Sequence, residues 1–155
     1  MPVTINNTGI VYSDGTASNT RFAQTMPKWI EARTSSDRSL GGDSGWIDHL
    51  TVTFTSTQTN IIHMYANMSQ SYESGPANMF LRFVLDGTAY EPGVLSAFQL
   101  SINRAHGGHA SDFAVANIAA GSHTVTLQTR NTAGGSTMIL NYWGGGSDVL
   151  SVYYY

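Results

Sequence analysis

From residue 47 onward the chain alternates apolar and polar positions almost one by one. In His49-Leu50-Thr51-Val52-Thr53-Phe54-Thr55, Leu50, Val52 and Phe54 fall on one face and the threonines on the other. That is the pattern of a strand half-buried against a core. The same period of two recurs over Asn60 to Met68, Met79 to Leu85, Leu95 to Ile102, Phe113 to Ile118, Thr124 to Thr129, Met138 to Trp143 and Val149 to Tyr154, giving eight predicted strands. Turn formers separate them: Ser74-Gly75-Pro76, Asp86-Gly87, Glu91-Pro92-Gly93, Gly107-Gly108, Gly121-Ser122, Gly134-Gly135 and Gly144-Gly145-Gly146. Each supplies either a backbone free to take positive φ or a fixed bend. Short strands at this spacing predict an all-β protein, an antiparallel jelly-roll-like β-sandwich. No window sustains a helical period, and Ala23 to Ala32 is broken by Pro27.

Residues 1–45 read differently. Val3-Thr4-Ile5 and Gly9-Ile10-Val11-Tyr12 are short β-like pieces, and Ser13-Asp14-Gly15-Thr16 is a turn signal. Ser35 to Gly45 is polar and rich in glycine, the composition of a loop. The division expected is an extended N-terminal attachment segment and loop over 1–45, followed by a sandwich head over 46–155. Trp29 and Trp46 flank the polar loop and are expected to clamp the lead-in onto the sandwich.

Composition narrows the functional classes. Charged residues are 11% of the chain, while serine and threonine number 17 each and lysine occurs once, at Lys28. With 17 aromatic rings this is a core-forming composition with neutral, hydroxyl-rich outer faces, not a disordered one. Net charge is −3 and the basic residues are scattered, so no stripe tracks a phosphate backbone and nucleic acid is not an expected partner. No apolar run reaches the ~18 residues of a membrane helix, and the first residues lack a basic-then-apolar export signal. A route out of the cell by lysis, inside an assembled particle, meets that constraint.

No catalytic centre is expected. Most of the acids sit beside glycine, proline or serine, as turn carboxylates do, and nothing marks Asp43, Asp48 or Asp112 as a hydrolytic pair. No strained Gly-x-Ser-x-Gly elbow is present. His106 and His109, in the glycine-rich stretch Arg104 to Asp112, are the one histidine cluster, but their spacing matches no standard metal motif and the stretch reads as a loop. No cofactor is expected. His63 and His123 fit strand positions and read as structural. Binding is better supported: aromatic rings in polar loops suit sugar recognition, and Tyr72, Tyr90 and Trp143 are the candidate glycan contacts.

Two stretches carry a resemblance. Thr8 to Thr20, with Ile10, Tyr12, Asp14, Gly15 and Thr16 at its centre, resembles the short Asp-Gly-Thr attachment element of tailed-phage tail fibres and related virion proteins. Ser18-Asn19 stands where that element usually has a Gln-Thr-like pair. Ala119 to Gln128, followed by the terminal Val149 to Tyr155, resembles the closing part of C1q/TNF-like jelly rolls, whose last strand lies near a trimer axis. Together they imply a homotrimeric tail fibre or host-surface-binding head, located in the virion and contacting other virion proteins. Val152, Tyr153, Tyr154 and Tyr155 would then form the trimer interface, and a host-surface glycan would be a further partner. The three consecutive tyrosines give this some physical support, because a strand with rings on both faces buries them all only at a subunit contact. A capsid decoration (cement) protein and a free carbohydrate-binding module are the competing expectations.

Overall fold

The computed structural model describes residues 4–6, 9–11, 17–18, 27–34, 36–42, 44–74, 77–90, 98–100, 106–132, 134, 137–141 and 148–154. Three short strands open the chain: β1 (Thr4–Asn6), β2 (Gly9–Val11) and β3 (Ala17–Ser18). They form an antiparallel sheet of their own, with Ile5 opposite Ile10 and Ile10 opposite Ser18.

The other strands are β4 (Lys28–Thr34), β5 (Arg38–Leu40), β6 (Ile47–Ser56), β7 (Asn60–Ser74), β8 (Ala77–Leu85), β9 (Thr88–Tyr90), β10 (Phe98–Leu100), β11 (His106–Ile118), β12 (Gly121–Asn131), β13 (Thr137–Leu140) and β14 (Asp148–Tyr154). One sheet runs β4-β14-β7-β11, and the other runs β6-β12-β8-β10. With β4, β6, β7, β8, β10, β11, β12 and β14 numbered one to eight along the chain, the sheets read 1-8-3-6 and 2-7-4-5. Two interlocked Greek keys in this order make a jelly roll. β5, β9 and β13 are additions at its margins: β13 pairs with β5 and β7, and β9 with β8.

The alternation in the sequence builds the core. Leu50, Val52 and Phe54 of β6, Leu81, Phe83 and Leu85 of β8, and Val125 and Leu127 of β12 face inward from one sheet. Ile62, Met64, Ala66 and Met68 of β7, with Leu150 and Val152 of β14, meet them from the other. Full burial of one such side chain contributes about 1.5–3 kcal/mol. The Asp86-Gly87 turn joins β8 to β9 with positive φ at both residues, 49° and 84°. That twist matches the twist of the flanking strands, which is why Asp-Gly suits the position.

Several expectations change. β4 and β5 lie in the stretch read as lead-in and loop, yet they pair with β14 and β13 inside the larger sheet. Pro27 does not prevent this, because it precedes the strand and owes no ladder hydrogen bond. The glycine-rich stretch holding His106 and His109 is strand, not loop. Gly107 and Gly108 stand opposite Gln70 and Ser69 in a ladder running from His106 to Ile118. A ladder of that length fixes glycine backbone that has no strand preference of its own. Trp29, expected to clamp the lead-in, is 59% exposed. The Trp46 ring centroid instead lies 4.3 Å from the guanidinium of Arg82 and 4.8 Å from that of Arg130.

Candidate functional site

The outer face of the β4-β14-β7-β11 sheet carries the rings that the core does not use. Registers place Trp29, Tyr153, His63 and Ala114 in one row across the four strands. The adjacent row is Glu31, Ser151, Tyr65 and Asp112. Directly opposed side chains on one face of a sheet have Cβ atoms about 4.5–5.5 Å apart, so each row sets its four residues side by side. Between the rows lies a hollow of about 430 Å³ lined by Pro27, His63, Tyr65, Asp112 and Tyr153. Small residues at Ala114 and Ser151 leave room among the taller rings, and Ser151, though it points outward, is only 4% exposed. Glu31 is already paired with Arg33, at 2.5 and 3.0 Å. Asp112 is therefore the carboxylate offered to the hollow, and no lysine or arginine lines it among the described residues.

The residues expected at a trimer contact divide. Val152 is fully buried in the chain's own core, and the ring of Tyr154 packs on Phe54 with centroids 4.6 Å apart. Tyr153 alone faces outward, at 43% exposure, and Tyr155 lies outside the described residues. β14 is also an interior strand, hydrogen-bonded to β4 on one side and β7 on the other, so it offers no free edge. Of the expected glycan contacts, Tyr90 packs against the core, with Phe113 at 5.6 Å. The side chains of Tyr72 and Trp143 lie outside the described residues, as do those of His106 and His109. Ile10 sits in β2, while Tyr12, Asp14, Gly15 and Thr16 lie outside the described residues. Asp48 and Asp112 occupy the outer faces of opposite sheets and do not converge, and Asp43 is outside the described residues. No group of three metal-ligating side chains occurs among the described residues.

Two His–Asp pairs went unread in the sequence. His49 is the extra residue of a bulge, since Leu50 pairs with Leu127 and Asp48 with Gln128. The bulge re-aims an imidazole that strict alternation would turn to solvent. Its Nε2 meets Asp148 Oδ2 at 2.8 Å, with both side chains almost completely buried. Arg38 donates to the Asp48 carbonyl beside the bulge. The second Asp148 oxygen accepts from Ser69 N at 2.7 Å, and Asn141 N donates to Ser69 O at 2.9 Å. Ser69 stands where β7 changes partner from β14 to β13, so these bonds satisfy backbone groups the ladder leaves unpaired.

The other pair lies at the entry to β12. His123 Nδ1 meets Asp86 Oδ2 at 2.7 Å, and its Nε2 faces Ala119 O at 2.9 Å. Acceptors at both ring nitrogens favour the imidazolium. The hydrogen bond to Asp86 raises the His123 pKa above its ordinary value of 6.5, against an opposing effect of burial. Burial pushes the Asp86 carboxyl up, but the hydrogen bonds from His123 and Thr124 N–H, with the imidazolium charge, outweigh it and lower its pKa.

Fold and face together define a jelly-roll β-sandwich with a ring-lined hollow on one outer sheet. Compared by sequence, the chain matches no family model and no curated relative. Compared by structure, it is similar to particles of infectious bursal disease virus. The T=1 particle derived from that virus gives a TM-score of 0.55 at 13% identity, covering 99% of this chain and 43% of that one. The Gt strain gives 0.54 at 12% identity, over 99% and 42%. The VP2 subviral particle gives 0.54 at 15% identity, over 83% and 36%. At these identities the likeness is one of fold, and this chain spans about two fifths of the length of each neighbour.

Proposed function

We propose that the chain is a virion structural protein, a jelly-roll subunit that associates with copies of itself and with other virion proteins. The observation that carries this is the 1-8-3-6 and 2-7-4-5 strand order, a fold this chain has in common with structures of virus particles. Its action is mechanical and recognitive rather than catalytic. A homotrimeric tail fibre or host-binding head is the form suggested by the Asp14-Gly15-Thr16 element. A shell location, as a capsid decoration protein, is the second reading, and it is favoured by the neighbours being particle structures.

Copy number in purified particles, measured against the major capsid protein, separates the two. A ratio near one-to-one supports decoration of the shell, and a ratio lower by an order of magnitude or more supports the tail. Absence from particles overturns both. Light scattering at micromolar concentration is expected to give the mass of three chains, and the mass of one chain removes self-association from the proposal.

A further inference from the structure

We infer that the hollow between Tyr65 and Tyr153 is a binding site for a neutral glycan. Its lining combines the two things a pyranose ring needs. The exposed Tyr153 ring and the Tyr65 ring offer π faces, whose negative quadrupole attracts the weakly positive C–H groups on the flat side of a sugar. At its edge, Asp112 stands directly opposite Tyr65 and accepts hydroxyl protons, while His63, opposite Tyr153, has ring nitrogens that donate or accept. A volume of about 430 Å³ is in the range of small-molecule sites, and Trp29 beside Tyr153 extends the ring surface toward a second sugar unit.

The charge selects the class of sugar. The hollow presents a carboxylate and no arginine or lysine among its described lining residues, so an acidic sugar meets repulsion without a compensating cation. One carboxylate with one imidazole is also a poor metal set. A purely apolar ligand would leave the Asp112 and His63 polar atoms desolvated without partners. A neutral polyhydroxylated ring satisfies both the aromatic and the polar groups. That the sugar belongs to a host surface rests on the virion reading above, whereas the chemistry of the hollow does not.

The test is an array of neutral oligosaccharides with sialylated ones as comparators, followed by saturation-transfer NMR on the whole chain. Neutral sugars are expected to bind, with transfer to their C–H protons, and sialylated analogues to bind more weakly. Asp112→Asn should weaken binding ~10-fold or more by removing a charge-assisted acceptor, and Tyr153→Ala should abolish it. Both positions are on the surface, so unchanged melting temperatures would confirm that the variants fold. No binding of any neutral sugar, or binding indifferent to both substitutions, overturns the inference. So does a Tyr153→Ala variant whose mass in light scattering falls, because the face is then a contact between copies. Sugar binding by a chain absent from particles would sustain the site while sinking the virion reading.

Discussion

The two His–Asp pairs of this sandwich have the same side chains at nearly the same separation, 2.8 Å for His49–Asp148 and 2.7 Å for His123–Asp86. Their surroundings differ. The side chains of the first pair are 2% and 0% exposed, and the pair joins β6 of one sheet to β14 of the other while holding the fork in β7. The second pair, 11% and 46% exposed, secures a turn within one sheet. Equal geometry does not mean equal energy. A buried partner left alone is an uncompensated polar group in a medium that cannot solvate it, whereas an exposed one regains water.

The comparison breaks most visibly at Asp148. Asp148→Ala is expected to cost about 3–5 kcal/mol, read as a lower midpoint in chemical denaturation, because it strands His49 and also orphans Ser69 N–H. An unmoved midpoint would show that the sheets are held without the clasp. Asp86→Asn should cost far less, about 0.2–1 kcal/mol, the range for a solvent-screened pair.

The outer pair is better sharpened by pH. The folded His123 pKa lies above 6.5, so its contribution is complete below pH 6.5 and is lost as pH rises through the raised value. The folded Asp86 pKa lies below 3.8, so its contribution is present above pH 3.8 and is lost as pH falls through the lowered value. Stability from the pair is therefore fullest between those limits, and the pH dependence of the melting temperature above 6.5 should flatten in Asp86→Asn. The smallest effect is expected on the threonine face, where Thr53 and Thr124 hydroxyls meet at 3.3 Å in the open. Thr53→Val should change stability by no more than about 0.5 kcal/mol, since water replaces the lost bond and valine suits a strand.

The outer faces of the two sheets differ in the same instructive way. Thr51 and Thr53 face Thr126 and Thr124 in a ladder of hydroxyls that needs no partner. Trp29 and Tyr153 leave rings in water on the other sheet. Alternation in Leu50 to Thr55 made the threonine face legible, because each threonine sits between two core residues. The aromatic face was only partly legible. Tyr153 of β14 stands out with its neighbours in the sequence, but His63 and Tyr65 lie on β7 and Asp112 on β11, and the rings and carboxylate of these three strands meet only through pairing. Trp29 reads as a clamp from its place beside the polar loop, and the inner side of β4, with Ile30 and Ala32 as its apolar residues, is too weak a signal to mark a core strand.

What the sequence by itself determined was the all-β class, most of the strands and the inward-facing residues, since a period of two acts locally and needs no knowledge of the partner strand. Only the tertiary structure decided that Lys28–Thr34 is the first strand of the jelly roll, that the Gly107-Gly108 stretch is strand, and that β14 lies inside its sheet. It also decided that a one-residue bulge turns His49 to Asp148, 99 positions away. These outcomes depend on which strands pair and in what register. That choice is made by the summed burial of two whole sheets, and no short stretch of sequence contains it.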